Sequence, residues 1–232
     1  MRARLFVGGV AAIIVVAGAL ATAMLLGSHR APESFALTTP SPSGTQGSLA
    51  GTWKVASGSE AGYRVREQFI NQSAPTEAVA RTTKVSGSLR IGSGPGPALT
   101  ATAIHFTVDL SALVSQDRYA TFQAYQRDFF VRRVYLQTDQ YPTADFTSAS
   151  ATVSAAITRG PVMVSIAGAL NVHGVARNVT SELSAQLNGN EIEVVGSINV
   201  NMQDFGVGVP DISFTKAEPS VVIEYHLLLV RG

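Results

Sequence analysis

The chain has 232 residues, 46% of them hydrophobic and only 14% charged, with a formal net charge of +1. That balance leaves no concentrated basic face for nucleic acid. It has no cysteine, which excludes a disulfide framework, thiolate metal sites and a cysteine nucleophile.

Residues 1–30 open with Arg2 and Arg4, followed by an uncharged run from Leu5 to Gly27. A helix of that length reaches ~34 Å, enough to cross a ~30 Å hydrocarbon core. The leading arginines hold its start in the cytoplasm and export the rest of the chain. A single N-terminal transmembrane anchor fits this pattern, and so does a cleaved signal peptide with a small-residue site at Ala21-Thr22-Ala23. Either way the remainder is expected outside the cytoplasm, beside the cell membrane if anchored and secreted if cleaved. Residues 31–50 carry Pro32, Pro40 and Pro42 among Ser, Thr and Gly. This composition predicts a flexible linker with little to bury.

From residue 51 to 232 the hydrophobic period is two. AIHFTVDLSAL sets Ile104, Phe106, Val108 and Leu110 on one face; VMVSIAGALNV sets Val162, Val164, Ile166, Leu170 and Val172. EIEVVGSINVNM repeats the pattern with Ile192, Val194, Ile198, Val200 and Met202, and VVIEYHLLL with Val221, Ile223, Tyr225, Leu227 and Leu229. Such alternation marks antiparallel strands with one buried face. Gly94-Pro95-Gly96, Gly160-Pro161, His173-Gly174 and Asn188-Gly189 supply turn chemistry between them.

One stretch breaks the pattern. Residues 118–142 hold Tyr119, Phe122, Tyr125, Phe129, Phe130, Tyr135 and Tyr141, several at spacings of three and four. This predicts a short aromatic helix, capped from Ser115 or Asp117 and ended by Tyr141-Pro142. The rings either plug one end of a barrel or form the lid and mouth of a tunnel. The fold class expected is all-β, an antiparallel barrel with one helical insertion. A barrel of about eight strands has room for one small ligand.

Four segments in order resemble the YceI-like family of polyisoprenoid-binding proteins. They are GTWKVASGSEAGYRVREQF (51–69), VDLSAL with QRDFFVRRVYLQTDQYPTADF (108–113 and 126–146), GALNVHGVARNV (168–179) and MQDFGV (202–207). The resemblance implies a lipocalin-like barrel over residues 51–232 that holds a long isoprenoid or similar amphiphile and has no enzyme activity. It departs from the family pattern at Glu67-Gln68, where many relatives carry His, and at Phe129-Phe130-Val131, where relatives often show a His-Leu pair. Both changes touch positions that could meet a ligand head group.

The candidate ligand contacts are therefore Phe69, Phe106, Val108, Leu110, Phe122, Tyr125, Phe129, Phe130, Tyr135, Leu136, Phe146, Ile166, Leu170, Phe205 and Phe214. Arg127, Arg132 and Arg133 either meet a polar head or form a solvated helix face. No catalytic residue stands out. His29, His105, His173 and His226 show no metal-ligand spacing, so no metal is expected, nor any cofactor beyond a bound isoprenoid lipid. Asp204-Phe205-Gly206 lacks every companion of the kinase triplet it mimics. The alternatives are an enzyme acting on such a lipid, signalled by two converging carboxylates or by a carboxylate and His173, and a ligand-free interaction domain with a solid core. Oligomeric state is left open.

Overall fold

The computed structural model describes residues 31–39, 48–70, 73–96, 98–116, 124–212 and 215–232. The expected membrane or signal segment lies outside these residues, as do Asp117, Phe122 and Phe214. Among the described residues no helix is long and apolar enough to cross a membrane.

Twelve strands form one antiparallel sheet: β1 (Gly51–Val55), β2 (Glu60–Phe69), β3 (Thr76–Thr82), β4 (Val85–Ser93), β5 (Ala98–Asp109), β6 (Val114–Ser115), β7 (Thr143–Ser154), β8 (Val162–Val172), β9 (Val175–Asn188), β10 (Glu191–Asn201), β11 (Asp211–Ile212) and β12 (Thr215–Arg231). β1 and β2 are two halves of one long stave, and β3 and β4 are two halves of the next, because β1 pairs β4 while β2 pairs β3. β12 closes the sheet: one edge pairs β10, and the other pairs β2 and then β1. The result is an eight-stave up-and-down barrel with β6 and β11 as short appendages. Closure leaves no long open edge.

The alternating residues face inward as their period requires. β5 adds a correction to simple alternation. Ala103 has φ 49 and the β4–β5 register shifts opposite it, between Ser88 and Arg90. The extra residue flips the phase, so Ala101 lines the lumen before it, with Leu99 packed on the Trp53 cluster, and Ile104, Phe106 and Val108 line it after. His173 and Gly174 both take positive φ, 55 and 73, and make the two-residue turn between β8 and β9. The β9–β10 connection is Gly189-Asn190, one residue later than the Asn-Gly reading, since Asn188 pairs Glu191.

Over its described residues the aromatic insertion is helical but less regular than its spacing suggests. A helix α1 (Ala124–Phe130) runs into a π-helical turn, Val131–Tyr135, closed by Leu136 N–H donating to the Val131 carbonyl at 2.8 Å. Ser115 is no helix cap. It sits in β6 and its hydroxyl and N–H both donate to Asp128.

Residues 31–39, the first part of the linker predicted from composition, lie against the outside of the barrel. Arg64 donates to the Pro32 carbonyl at 2.8 Å and Arg81 to the Glu33 carbonyl at 2.7 Å. The Phe35 ring lies 3.9 Å from the Arg81 guanidinium. Thr38 donates its N–H and its hydroxyl to the two oxygens of Glu193, at 2.9 and 2.8 Å.

A narrow apolar cavity as the candidate functional site

The barrel is hollow. A cavity of about 510 Å³ runs through it, lined almost wholly by apolar side chains. Along β12 its wall extends from Thr215 to Leu229. At ~3.3 Å per residue and a strand tilt of ~40°, that span is roughly 35 Å along the barrel axis. Drawn out over that length, the cavity is narrow and long rather than round.

Two glycines keep it open. Gly168 and Gly196 occupy inward positions on β8 and β10. A Cβ on Gly168 would stand 2.5 Å from the Phe146 ring, and one on Gly196 would stand 2.3 Å from the Tyr225 hydroxyl. With no Cβ at either position, both rings pack close over the glycine backbone. The Tyr225 hydroxyl donates to Ser181 Oγ at 2.6 Å, and Ser181 in turn donates to the Ser197 carbonyl at 3.0 Å. Burial pushes the Tyr225 phenol up to about 12, so it stays neutral and keeps the mid-bore uncharged.

One end is shut. Below Ile192 and Leu229, buried Leu49, Trp53 and Leu187 pack as a floor. The Trp53 indole N–H donates to the Leu49 carbonyl at 2.9 Å. The other end is the mouth, where β2 reaches Phe69 and α1 with its π turn brings Phe130, Val134, Tyr135 and Leu136 to the lining. The charged residues of the described lining, Glu67, Arg127 and Glu218, all lie there. Arg127 Nη1 donates to Glu67 Oε1 at 3.2 Å, and Arg127 Nε donates to Ser115 Oγ at 3.1 Å, which ties the helix to the barrel. Glu218, also in the lining, faces Arg66 at 3.8 Å.

Ten of the sequence-derived candidates line this cavity: Phe69, Phe106, Val108, Leu110, Phe130, Tyr135, Leu136, Phe146, Ile166 and Leu170. Phe129 and Phe205 do not. Phe129 points outward, 54% exposed. Phe205 is buried in the core at the end of the 3-10 turn Met202–Phe205, where Gly206 at φ 72 turns the chain. Phe122 and Phe214 lie outside the described residues, and so does the side chain of Tyr125. Of the three arginines, Arg127 alone reaches the lining. Arg132 donates to the carbonyls of Asp128, Ser111 and Leu113, and Arg133 pairs with Asp139. The sequence-derived candidates omit Tyr63, Ser181, Leu183 and Tyr225, all in the wall. Tyr225 lies on the inward phase that alternation gives its strand; Ser181 and Leu183 share an inward phase that the polar residues of SELSAQL hide. Among the described residues no group of His, Asp or Glu is placed to hold a metal ion.

A closed antiparallel barrel with an apolar lumen and a helical cap over one end defines a lipocalin-like container. The chain belongs to the YceI-like domain family, whose model matches residues 53–228. The fold is shared with the crystal structure of BcnA from Burkholderia cenocepacia: 20% identity, TM-score 0.50, covering 73% of this chain and 95% of that one. It is shared also with a polyisoprenoid-binding domain from Saccharophagus degradans implicated in plant cell wall breakdown: 14% identity, TM-score 0.54, covering 79% and 99%. No curated protein matches the chain significantly.

Proposed function

We propose that this protein binds a long-chain isoprenoid or similar amphiphilic lipid in the barrel lumen, outside the cytoplasm, and holds or hands it over near the membrane that its N-terminal segment marks. The observation that carries this reading is the bore: narrow, apolar, closed at the floor and open at the mouth. Affinity would come from partition. Each buried CH₂ contributes ~0.8 kcal/mol, so a ten-carbon stretch grosses ~8 kcal/mol before ordering costs. The charged groups lie at the mouth, so the chain enters tail first and the polar end stays with Glu67 and Arg127. The polyisoprenoid-binding description of the Saccharophagus domain supports the ligand class. The lining candidates named above are the proposed contacts.

The test is organic extraction of the purified protein followed by mass spectrometry. A prenyl or other long-chain lipid in near-stoichiometric amount is expected. Finding no extracted lipid and no uptake of a long-chain fluorescent probe would sink the reading. One observation favours a second reading, an enzyme acting on the same lipid: Glu67 and Glu218 both reach the mouth. It predicts that an added prenyl lipid is recovered chemically changed, and that Glu67→Gln abolishes the change. The lipid returning intact decides for carriage.

A further inference from the structure

Phe129, Phe130 and Val134 are each at least half exposed, at 54%, 51% and 50%. The Phe129 ring stands edge-on to Phe130 with centroids 5.8 Å apart, and Phe130 and Val134 also line the cavity. The three make one apolar patch at the mouth. An exposed cluster of this kind marks an interaction surface. Among the described residues the neighbouring arginines already have partners: Arg127 on Glu67, Arg133 on Asp139, and Arg132 on three backbone carbonyls. A partner met here is met through apolar contact, not through charge.

The strap on the outer face says which partner. Its first described residues bind at mid-barrel, to Arg64 and Arg81, level with Val222 and Glu224 of β12. Its later ones descend to Glu193 and Asn188, beside the floor. Traced from Thr38 back to Pro32, the strap therefore climbs towards the mouth. The uncharged run ends at Gly27, and the five residues from there to Pro32 span at most ~18 Å. From Arg64 to the mouth end of β2 at Phe69 is roughly 13 Å along the barrel axis. With the apolar run in a bilayer, that bilayer lies within reach of the mouth, the end towards which the strap climbs.

We propose that Phe129, Phe130 and Val134 form a bilayer-docking surface, held against the membrane by the 31–39 strap, through which lipid passes directly between membrane and lumen. The purpose of this surface rests on the lipid-binding reading; its geometry does not. Docking through unspent apolar side chains needs no anionic lipid and survives salt, unlike attachment by a basic patch.

The experiment uses the full chain reconstituted into phosphatidylcholine vesicles whose acyl chains carry bromine, a contact quencher of tryptophan. Trp53 is the chain's one tryptophan and sits at the floor, so it is expected to stay unquenched. A Phe129→Trp variant adds a second emission that should be quenched, equally with or without phosphatidylserine and at high salt. Quenching at the floor but not at position 129, no quenching at either, or a dimer that buries position 129 would each overturn docking. Phe129→Asp leaves the cavity wall intact. It should slow lipid uptake from vesicles by roughly tenfold, about 1.4 kcal/mol, while protein already loaded keeps its lipid. Uptake unchanged by Phe129→Asp also defeats the proposal. If no variant ever takes up lipid, the binding reading fails, and quenching at 129 still decides docking.

Discussion

At the scale of single residues, the lumen depends on what is missing from its wall. A side chain at 168 would meet both the Phe146 ring and the Thr147 carbonyl at 2.5 Å. Gly168→Val should therefore swing the Phe146 ring into the bore. Overpacking of this kind costs ~1–3 kcal/mol, and lipid recovery should fall more steeply than stability. Urea unfolding and extraction on the same preparation separate the two effects; a stable variant with full lipid content would show that the ring never limited the bore. Half of this arrangement is readable in the sequence. Alternation places Phe146 and Ile166 inward because a strand has only two faces to choose from. A helix offers many faces, and there spacing misleads. Intervals of three and four group Phe129 with Tyr125 and Phe122, whereas the residue in the lining is Phe130. No signal in the sequence announces the π turn that comes next and resets which side chains meet the barrel.

At the scale of elements, the strap is the part composition conceals. Its partners lie far along the chain, so no local period could reveal them: Thr38 bonds Glu193 across 155 positions and Gln186 across 148. Prolines and threonines read as a linker until a barrel supplies a wall. The key group is Glu193, which is 1% exposed. Burial alone pushes its carboxyl up, but hydrogen bonds from the Thr38 N–H and hydroxyl, from Gln186 and from His226 outweigh it and hold the pKa below the ordinary 4.5. A lowered carboxylate pKa means that docking favours the ionised form. The strap's stabilisation is thus fully present above pH 4.5 and is lost as pH falls through the lowered value. Amide exchange over residues 31–39 should be slow and flat from pH 7 to 5 once corrected for intrinsic rates, and should lose protection below 4.5. Glu193→Gln should mimic the acid state at neutral pH. Hydrogen bonds to a charged group contribute ~1.5–3 kcal/mol, so protection should drop roughly tenfold to hundredfold. Protection that persists unchanged at pH 3 would mean the strap is held by Phe35 and the arginines instead.

At the scale of the whole molecule, a long apolar bore is an unusual thing for a barrel to keep. Interiors normally pack to crystal density, and wall atoms facing a void forgo dispersion contacts that a filled core would supply. Selection for stability alone would fill this space. The chain does the opposite at several levels, with glycines under the rings, a bulge at Ala103 that keeps both halves of β5 facing inward, and a floor closed by Trp53 so that the opening is at one end. If the hollow exists for an occupant, filling it should improve the protein as a folded object and ruin it as a container. Leu183 is the place to try. It sits at mid-bore, packed against the cluster of Ala101, Ile104 and Ile166 and against the floor cluster, and is only half-buried where it faces the cavity. Leu183→Trp adds ring atoms where there are no partners to displace. The delipidated variant should melt at or above the delipidated parent, because the added ring gains contacts without strain. Its recovered lipid should fall several-fold, and the parent's rise in Tm on lipid addition, which comes from binding to the folded state alone, should be absent. A variant that unfolds readily would show the bore to be already full. One that is stable and still carries its lipid would place the ligand somewhere other than the lumen.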